Sequence, residues 1–340
     1  MDRRQCVIDA LRHKETNPIP YTLFLTEGAR ERLIAYTGDK DIDQKLGHFL
    51  VGIAYNPPYE ELQDKPGYFR DHFGVIWNRT GPDKDIGVVS NIQIEDVEDH
   101  DYIFPKPNIP VMRRNIEAVL ANREGRFAYL DIGFSIFERS WTLMGMENVL
   151  ASMILCPEAL EGLYDQICDY YETLLEAALE YDIDAVWFGD DWGQQQGMIM
   201  SPDHWRRFIK PRLARLCRQI KGKGKFAMLH CCGDIKAIFP DLAEIGLDCF
   251  QTFQPEIYDI AEMKERYGDR ITFWGGIFIQ RGLPFMTPEQ VKEMTVQTMK
   301  TLRKDGGLII APSHCLTYDI PPENILAMAE VFQHQDEYLK

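Results

Sequence analysis

From about residue 127 onward the apolar positions fall into a repeating rhythm. Short continuous runs at 127–133, 185–189, 226–229, 249–253, 271–274 and 308–311 end in glycine, proline or a polar cluster, and helical spacing follows. Unbroken rather than alternating hydrophobicity marks strands covered on both faces, as in a parallel sheet flanked by helices. The intervening helices are equally marked. After Cys156-Pro157, the residues Leu160, Leu163, Tyr164, Ile167, Tyr171, Leu174, Leu175 and Ala178 make one apolar stripe. Ser201-Pro202 opens another helix with a cap and an early proline, and Thr287-Pro288-Glu289-Gln290 opens a third with the spacing of a capping box.

Upstream, residues 20–25 read as a first strand and 49–54 as a second, whereas 56–110 are rich in proline, glycine and aspartate. That stretch reads as an excursion with a hairpin around 68–77, not as a separate domain. Seven to eight strands alternating with helices predict an α/β fold, a TIM-like (β/α)8 barrel with an N-terminal excursion. Residues 1–340 then form a single barrel domain with an insertion at approximately 56–110. A doubly wound dinucleotide-binding sheet would need a glycine-rich turn after the first strand, and Leu25-Thr26-Glu27-Gly28-Ala29 does not supply one.

Charge narrows the partners. The 340 residues carry 37 basic and 53 acidic side chains, a net charge of −16, which argues against binding nucleic acid or an anionic membrane surface. No apolar run approaches the length of a membrane span or a signal peptide, so the chain reads as cytoplasmic. Eight cysteines are too sparse for a disulfide scaffold in a chain of this length, and read as core thiols or ligands.

Reactive residue types gather where the predicted strands end. Glu27 follows the first, Glu138 lies beyond Asp131, Asp190-Asp191 end the next, and His230-Cys231-Cys232-Gly233, Gln254-Pro255-Glu256, Gly275-Gly276 and His314-Cys315 follow. In a barrel all of these converge on one face, where active sites of this fold are built. His230 and Cys232 are two apart, so at an extended strand end they point the same way and can share a metal. With Cys315 they make three ligands and leave one position open, the pattern of a catalytic zinc. The alternative is that the cysteines are small apolar strand residues and His230 makes a local hydrogen bond. Asp190 and Asp191 would be costly to bury unpartnered; they read as ligand, base or helix cap. Glu138 is a proton carrier or the partner of a nearby arginine.

These residues resemble the uroporphyrinogen decarboxylase superfamily, and within it the corrinoid-dependent methyltransferase branch. The likeness runs from Arg3-Arg4-Gln5-Cys6 through Ser201-Pro202, Trp205, Phe208 and Pro211, the His230-x-Cys232-Gly233 element and Gly275-Gly276-Ile277. It closes on Gly306-Gly307-Leu308, Ala311-Pro312-Ser313-His314 and Pro321-Pro322-Glu323-Asn324-Ile325. The decarboxylase itself carries an arginine-rich segment after its first strand, where this chain has Thr26-Glu27-Gly28-Ala29-Arg30-Glu31. A polyanionic porphyrinogen would there lack its counter-charges. The resemblance implies a zinc-dependent transfer of a methyl group between a small molecule (a methyl ether, methylamine or thiol) and the cobalt of a corrinoid on a partner protein. His230, Cys232 and Cys315 would hold Zn2+, while Asp190, Asp191, Glu138 and His314 would position substrate or move protons. In family members that methylate a thiol the late cysteine stands ten residues before the asparagine of Glu-Asn-Ile; here that place is His314, with Cys315 one residue later. Cys315 is the favoured third ligand, and His314 the alternative ligand or an acid. A metal-free decarboxylase of a porphyrinogen or related carboxylate is the competing reading.

Overall fold

The computed structural model describes residues 2–81 and 87–340. Seven parallel strands lie in one sheet in chain order: β1 (Leu50–Ala54), β2 (Phe127–Phe134), β3 (Ala185–Gly189), β4 (Phe226–His230), β5 (Cys249–Phe253), β6 (Thr272–Ile277) and β7 (Leu308–Pro312). All six strands expected after residue 127 are present, and several extend by one to three residues at their carboxyl ends. The sheet curls into a TIM-like barrel, and residues 20–26 supply the missing stave. They bridge β7 through Tyr21 to Ile310 and the segment after it through Leu25 to Leu316, and the Phe49 N–H donates to the Tyr21 carbonyl on the other side. The expected first strand is therefore an extended closing segment with two isolated bridges, punctuated by Pro18 and Pro20, which cannot donate to a ladder.

Helices form where the caps and stripes placed them. Ser201 Oγ accepts the His204 N–H at 3.1 Å. Thr287 and Gln290 close a reciprocal capping box, which satisfies two of the N–H groups a helix start leaves unpaired. The Pro157–Ala178 helix buries the whole predicted stripe from Leu160 to Ala178. Among the described residues no helix is long and apolar enough to cross a membrane.

The expected excursion holds a four-stranded antiparallel sheet, Glu60–Glu61, Tyr68–Arg70, Ile76–Asn78 and Val88–Val89; its residues 82–86 lie outside the described residues. A buried ion pair fastens this sheet to the Ile136–Met144 helix. Arg139 Nη1 lies 3.3 Å from Asp71 Oδ2, and the guanidinium covers the Phe73 ring at 3.9 Å. Asp71 also accepts the Phe73 and Val75 backbone N–H groups and the Trp77 indole N–H. Trp77 in turn stacks on Phe134 at the end of β2, with centroids 5.5 Å apart, so the excursion walls one side of the barrel mouth.

Candidate metal centre and barrel mouth

Rings from distant strands meet inside the barrel. Tyr129 of β2 packs on Trp187 of β3 at 6.2 Å and edge-on against Trp274 of β6 at 5.7 Å, and Trp274 meets Phe24 of the closing segment at 5.7 Å. On this aromatic layer stands His230, the last residue of β4, edge-on to Trp187 at 5.2 Å.

His230 Nδ1 is hydrogen-bonded to the amide oxygen of Gln251, a buried residue in register with it on β5. That bond places the proton on Nδ1 and leaves the Nε2 lone pair facing Cys232 Sγ at 3.5 Å. Period-two alternation sends Cys231 the other way: its buried sulfur accepts the Trp192 N–H at 3.2 Å. The His314 ring stands edge-on to the His230 ring at 5.2 Å. Ligand atoms of His230, Cys232 and His314 all lie within 4.8 Å of one another.

The geometry brings in the alternative third candidate rather than the favoured one. His314, not Cys315, joins the His-x-Cys pair among the described residues. Side chains of successive residues leave an extended segment in different directions, and once β7 ends at Pro312 it is position 314 whose ring turns over the β4 end. Burial, then Asp131 and then Cys315 raise the Tyr129 phenol, so Cys315 lies near that ring.

The donor set suits zinc. Imidazole nitrogen and thiolate sulfur are both ordinary zinc ligands, at bond lengths of roughly 2.0–2.3 Å, and three protein donors leave a fourth position open. Burial together with the neighbouring His230 lowers His314 to about 4, so its ring is neutral at physiological pH and free to donate a lone pair. Burial and then Asp191 push the Cys232 thiol up; a dication among the donors supplies the charge that makes it a thiolate.

Three carboxylates surround the donors. Asp191 Oδ1 accepts the Cys232 N–H at 2.7 Å and lies 3.7 Å from His230 Nε2. Asp190 is fully buried and acts as a remote helix cap: its oxygens accept the N–H groups of Phe137 (3.1 Å) and Glu138 (2.7 Å) and the Trp192 indole N–H (2.8 Å). Ser135, which precedes that helix, makes no side-chain cap of its own. Burial raises Asp190 to about 7 against the pull of these donors. Glu138, nearly fully buried, is pushed well above the carboxylate range by burial and by Asp191 and Asp190. The adjacent Arg139 is committed to Asp71, and no described arginine is ion-paired with Glu138.

Gln251, Trp187 and Asp131 also shape the mouth, although no motif singles them out; they sit on inward positions of strand ends, and period-two counting from His230 and Tyr129 would have reached them. Glycine is required at one point. Gly233, at φ +81°, lies so close to Gly193 that a side chain there would run into the Gly193 backbone, and a Cβ on Gly193 would come within 2.6 Å of the Gly233 carbonyl carbon. The Asp234 N–H donates to the Gln194 carbonyl at 2.8 Å, so the loops carrying Asp191 and Cys232 are pressed together.

Comparison with known proteins follows the same lines. A family model described as uroporphyrinogen decarboxylase (URO-D) matches residues 80–335. The chain is similar to a methylated-thiol–coenzyme M methyltransferase of Methanosarcina mazei, 22% identical over 233 residues, or 68% of this chain and 60% of that protein. It is similar to the methylcobamide:CoM methyltransferase MtaA of Methanosarcina barkeri, 30% identical over 142 residues, or 41% of this chain and 38% of that protein. A uroporphyrinogen decarboxylase of Saccharophagus degradans is 22% identical over 243 residues, 67% of this chain and 65% of that protein. The matches span less than two thirds of these relatives' lengths. Among solved structures, a methyltransferase from Methanosarcina mazei superposes with a TM-score of 0.75 at 18% identity over 99% of both chains, a likeness of fold.

Proposed function

We propose, from the premise that the chain belongs to the uroporphyrinogen decarboxylase family, that it is a zinc-dependent methyltransferase. It moves a methyl group between a small methylated molecule and the cobalt of a corrinoid carried by a partner protein. The observation that carries this reading is the convergence of His230, Cys232 and His314 within 4.8 Å at the carboxyl end of the barrel. Two Methanosarcina relatives, a methylated-thiol–coenzyme M methyltransferase and a methylcobamide:CoM methyltransferase, support the reaction class.

Zinc, when bound, supplies a Lewis acid that stabilises a departing oxygen, nitrogen or sulfur anion, or holds a thiol as thiolate. The chain's own residues do the rest. Gln251 orients His230 by holding its Nδ1 proton. Asp191 fixes the Cys232 backbone, and Asp190 fixes the start of the helix that presents Glu138. Glu138, held protonated by burial and two aspartates, is the proton donor for the leaving group. The aromatic layer beneath excludes water.

The test is direct. Purified protein should hold close to one zinc per chain, and with a methylated donor and Co(I) corrinoid it should produce the absorption spectrum of methyl-cobalt. Efficient decarboxylation of uroporphyrinogen, with no corrinoid-dependent transfer from a panel of methoxy-aromatics, methylamines and thiols, would overturn it.

A further inference from the structure

One carboxylate at the mouth takes no part in holding the donors. Asp131 sits where β2 slips register against β3, a bulge between Asp131 and Phe134 with Gly133 at φ +64°; such bulges re-aim side chains at strand ends. The Gly133 N–H donates to Asp131 Oδ1 at 2.8 Å, and no described residue donates to Oδ2. Burial raises this carboxyl to about 6, which leaves it mainly ionised at neutral pH.

Its register partner is Trp187, the ring that also touches His230. An anionic oxygen without a donor therefore stands beside an indole that leads directly to the donor triad. No described cationic side chain neutralises that oxygen. Among the described residues no lysine or arginine is ion-paired with Asp131, Glu138 or Asp191, and Arg139 is bound to Asp71.

We propose that Asp131 and the Trp187 ring form a subsite for an alkylammonium cation that keeps at least one N–H, such as a protonated methylated amine. A free carboxylate oxygen takes a charge-assisted hydrogen bond from N+–H, and an indole face attracts the same cation. A neutral ether would gain nothing from Asp131, and a sulfonate or carboxylate carrier would be repelled. This subsite rests on the methyl-transfer reading of the same mouth and names the class of methyl donor.

Calorimetric titration of the purified protein with trimethylammonium, with neutral tert-butanol of similar bulk and with ethanesulfonate, which has no thiol to meet a metal, tests it without any turnover. Trimethylammonium should bind at least about tenfold more tightly than the other two. Asp131→Asn should weaken its binding about tenfold or more with zinc content and melting transition as in wild type, and Trp187→Phe should weaken it by roughly three- to fivefold. Equal binding of the cation and tert-butanol by wild type, a comparison that needs no variant, would overturn the subsite. So would an Asp131→Asn protein that binds the cation as well as wild type does. Methyl transfer from neutral ethers without cation binding would sink the subsite and leave the methyltransferase standing. Asp131-dependent cation binding without methyl transfer would support the subsite and sink the reaction.

Discussion

Asp190 accepts the backbone N–H of Glu138 at 2.7 Å, so one buried carboxylate sets the position of another. The two belong to elements that begin some fifty residues apart in the chain, and the bond runs across the gap between β2 and β3 to the start of a helix. Glu138 is thereby held over Gly189, where a Cβ would come within 3.6 Å of Glu138 Oε2. Asp190→Ala should cost about 2–4 kcal/mol, because it removes a cap and strands the Trp192 indole N–H in the interior. Urea unfolding measures the loss. Zinc should stay bound, and turnover should fall as Glu138 loses its anchor.

Exchanging the adjacent residues after β7 distinguishes the two candidate third ligands. His314→Ala should lower zinc affinity by more than ~100-fold, since even the loss of an outer-shell partner costs about 10–100-fold. Cys315→Ala should lower it less. Competition with a chromogenic chelator reads both, and the reverse order would return Cys315 to the site.

Gln251 has no contact with metal in this scheme, yet it chooses the tautomer of His230. Gln251→Ala should weaken zinc binding about 10–100-fold with the fold intact. An unchanged chelator titration would show that the imidazole needs no such guide.

His48 makes stability depend on pH. Its Nδ1 accepts the Leu23 N–H at 3.2 Å in the segment that closes the barrel, and burial lowers its pKa to about 4. With an unfolded value near 6.5, the neutral ring's contribution is fully present above pH 6.5 and is lost as pH falls towards 4. Between pH 7 and 4.5 wild type should lose about 2 kcal/mol that a His48→Gln variant does not. Parallel urea curves for the two proteins would refute this.

The buried pair of Arg139 and Asp71 is expected to be the most sensitive link between excursion and barrel. Arg139→Met leaves Asp71 without its counter-charge and should cost about 3–5 kcal/mol. Proteolysis should then cut first within the excursion; cleavage spread evenly along the chain would argue against this.

The strands after residue 127 were legible because each is a continuous apolar run, and a parallel sheet covered on both faces has no other pattern. Helix starts were legible because Ser201 and Thr287 cap through neighbours three residues away. The excursion's strands, two or three residues long, carry no period to detect. Asp190 could be suspected as a cap, but the helix it caps lies upstream on a different unit, so no local spacing reveals the pair. His230 and Cys232 share a direction because both sit on an extended segment. His314 and Cys315 could not be ordered, because the backbone beyond Pro312 leaves the strand and its turn decides which side chain looks inward. Asp131 passed without a role because a lone acidic residue inside an apolar run becomes notable only when the bulge beside it is seen.

The contact of Gly193 with Gly233 divides the rim of the barrel into two mechanical halves. Where backbone touches backbone there is no side chain to rotate away, so the Asp191 loop and the Cys232 loop shift together or not at all. Under the proposed methyl transfer, whatever gives way to admit a bulky methyl donor, or the face of a corrinoid, must do so beyond these two loops, on the neighbouring β2 side. There the rim is built from Trp77, Phe134 and the short antiparallel strands, anchored through one buried ion pair. The half that carries the candidate donors is a fixed jaw, and the excursion is the jaw that can be refitted.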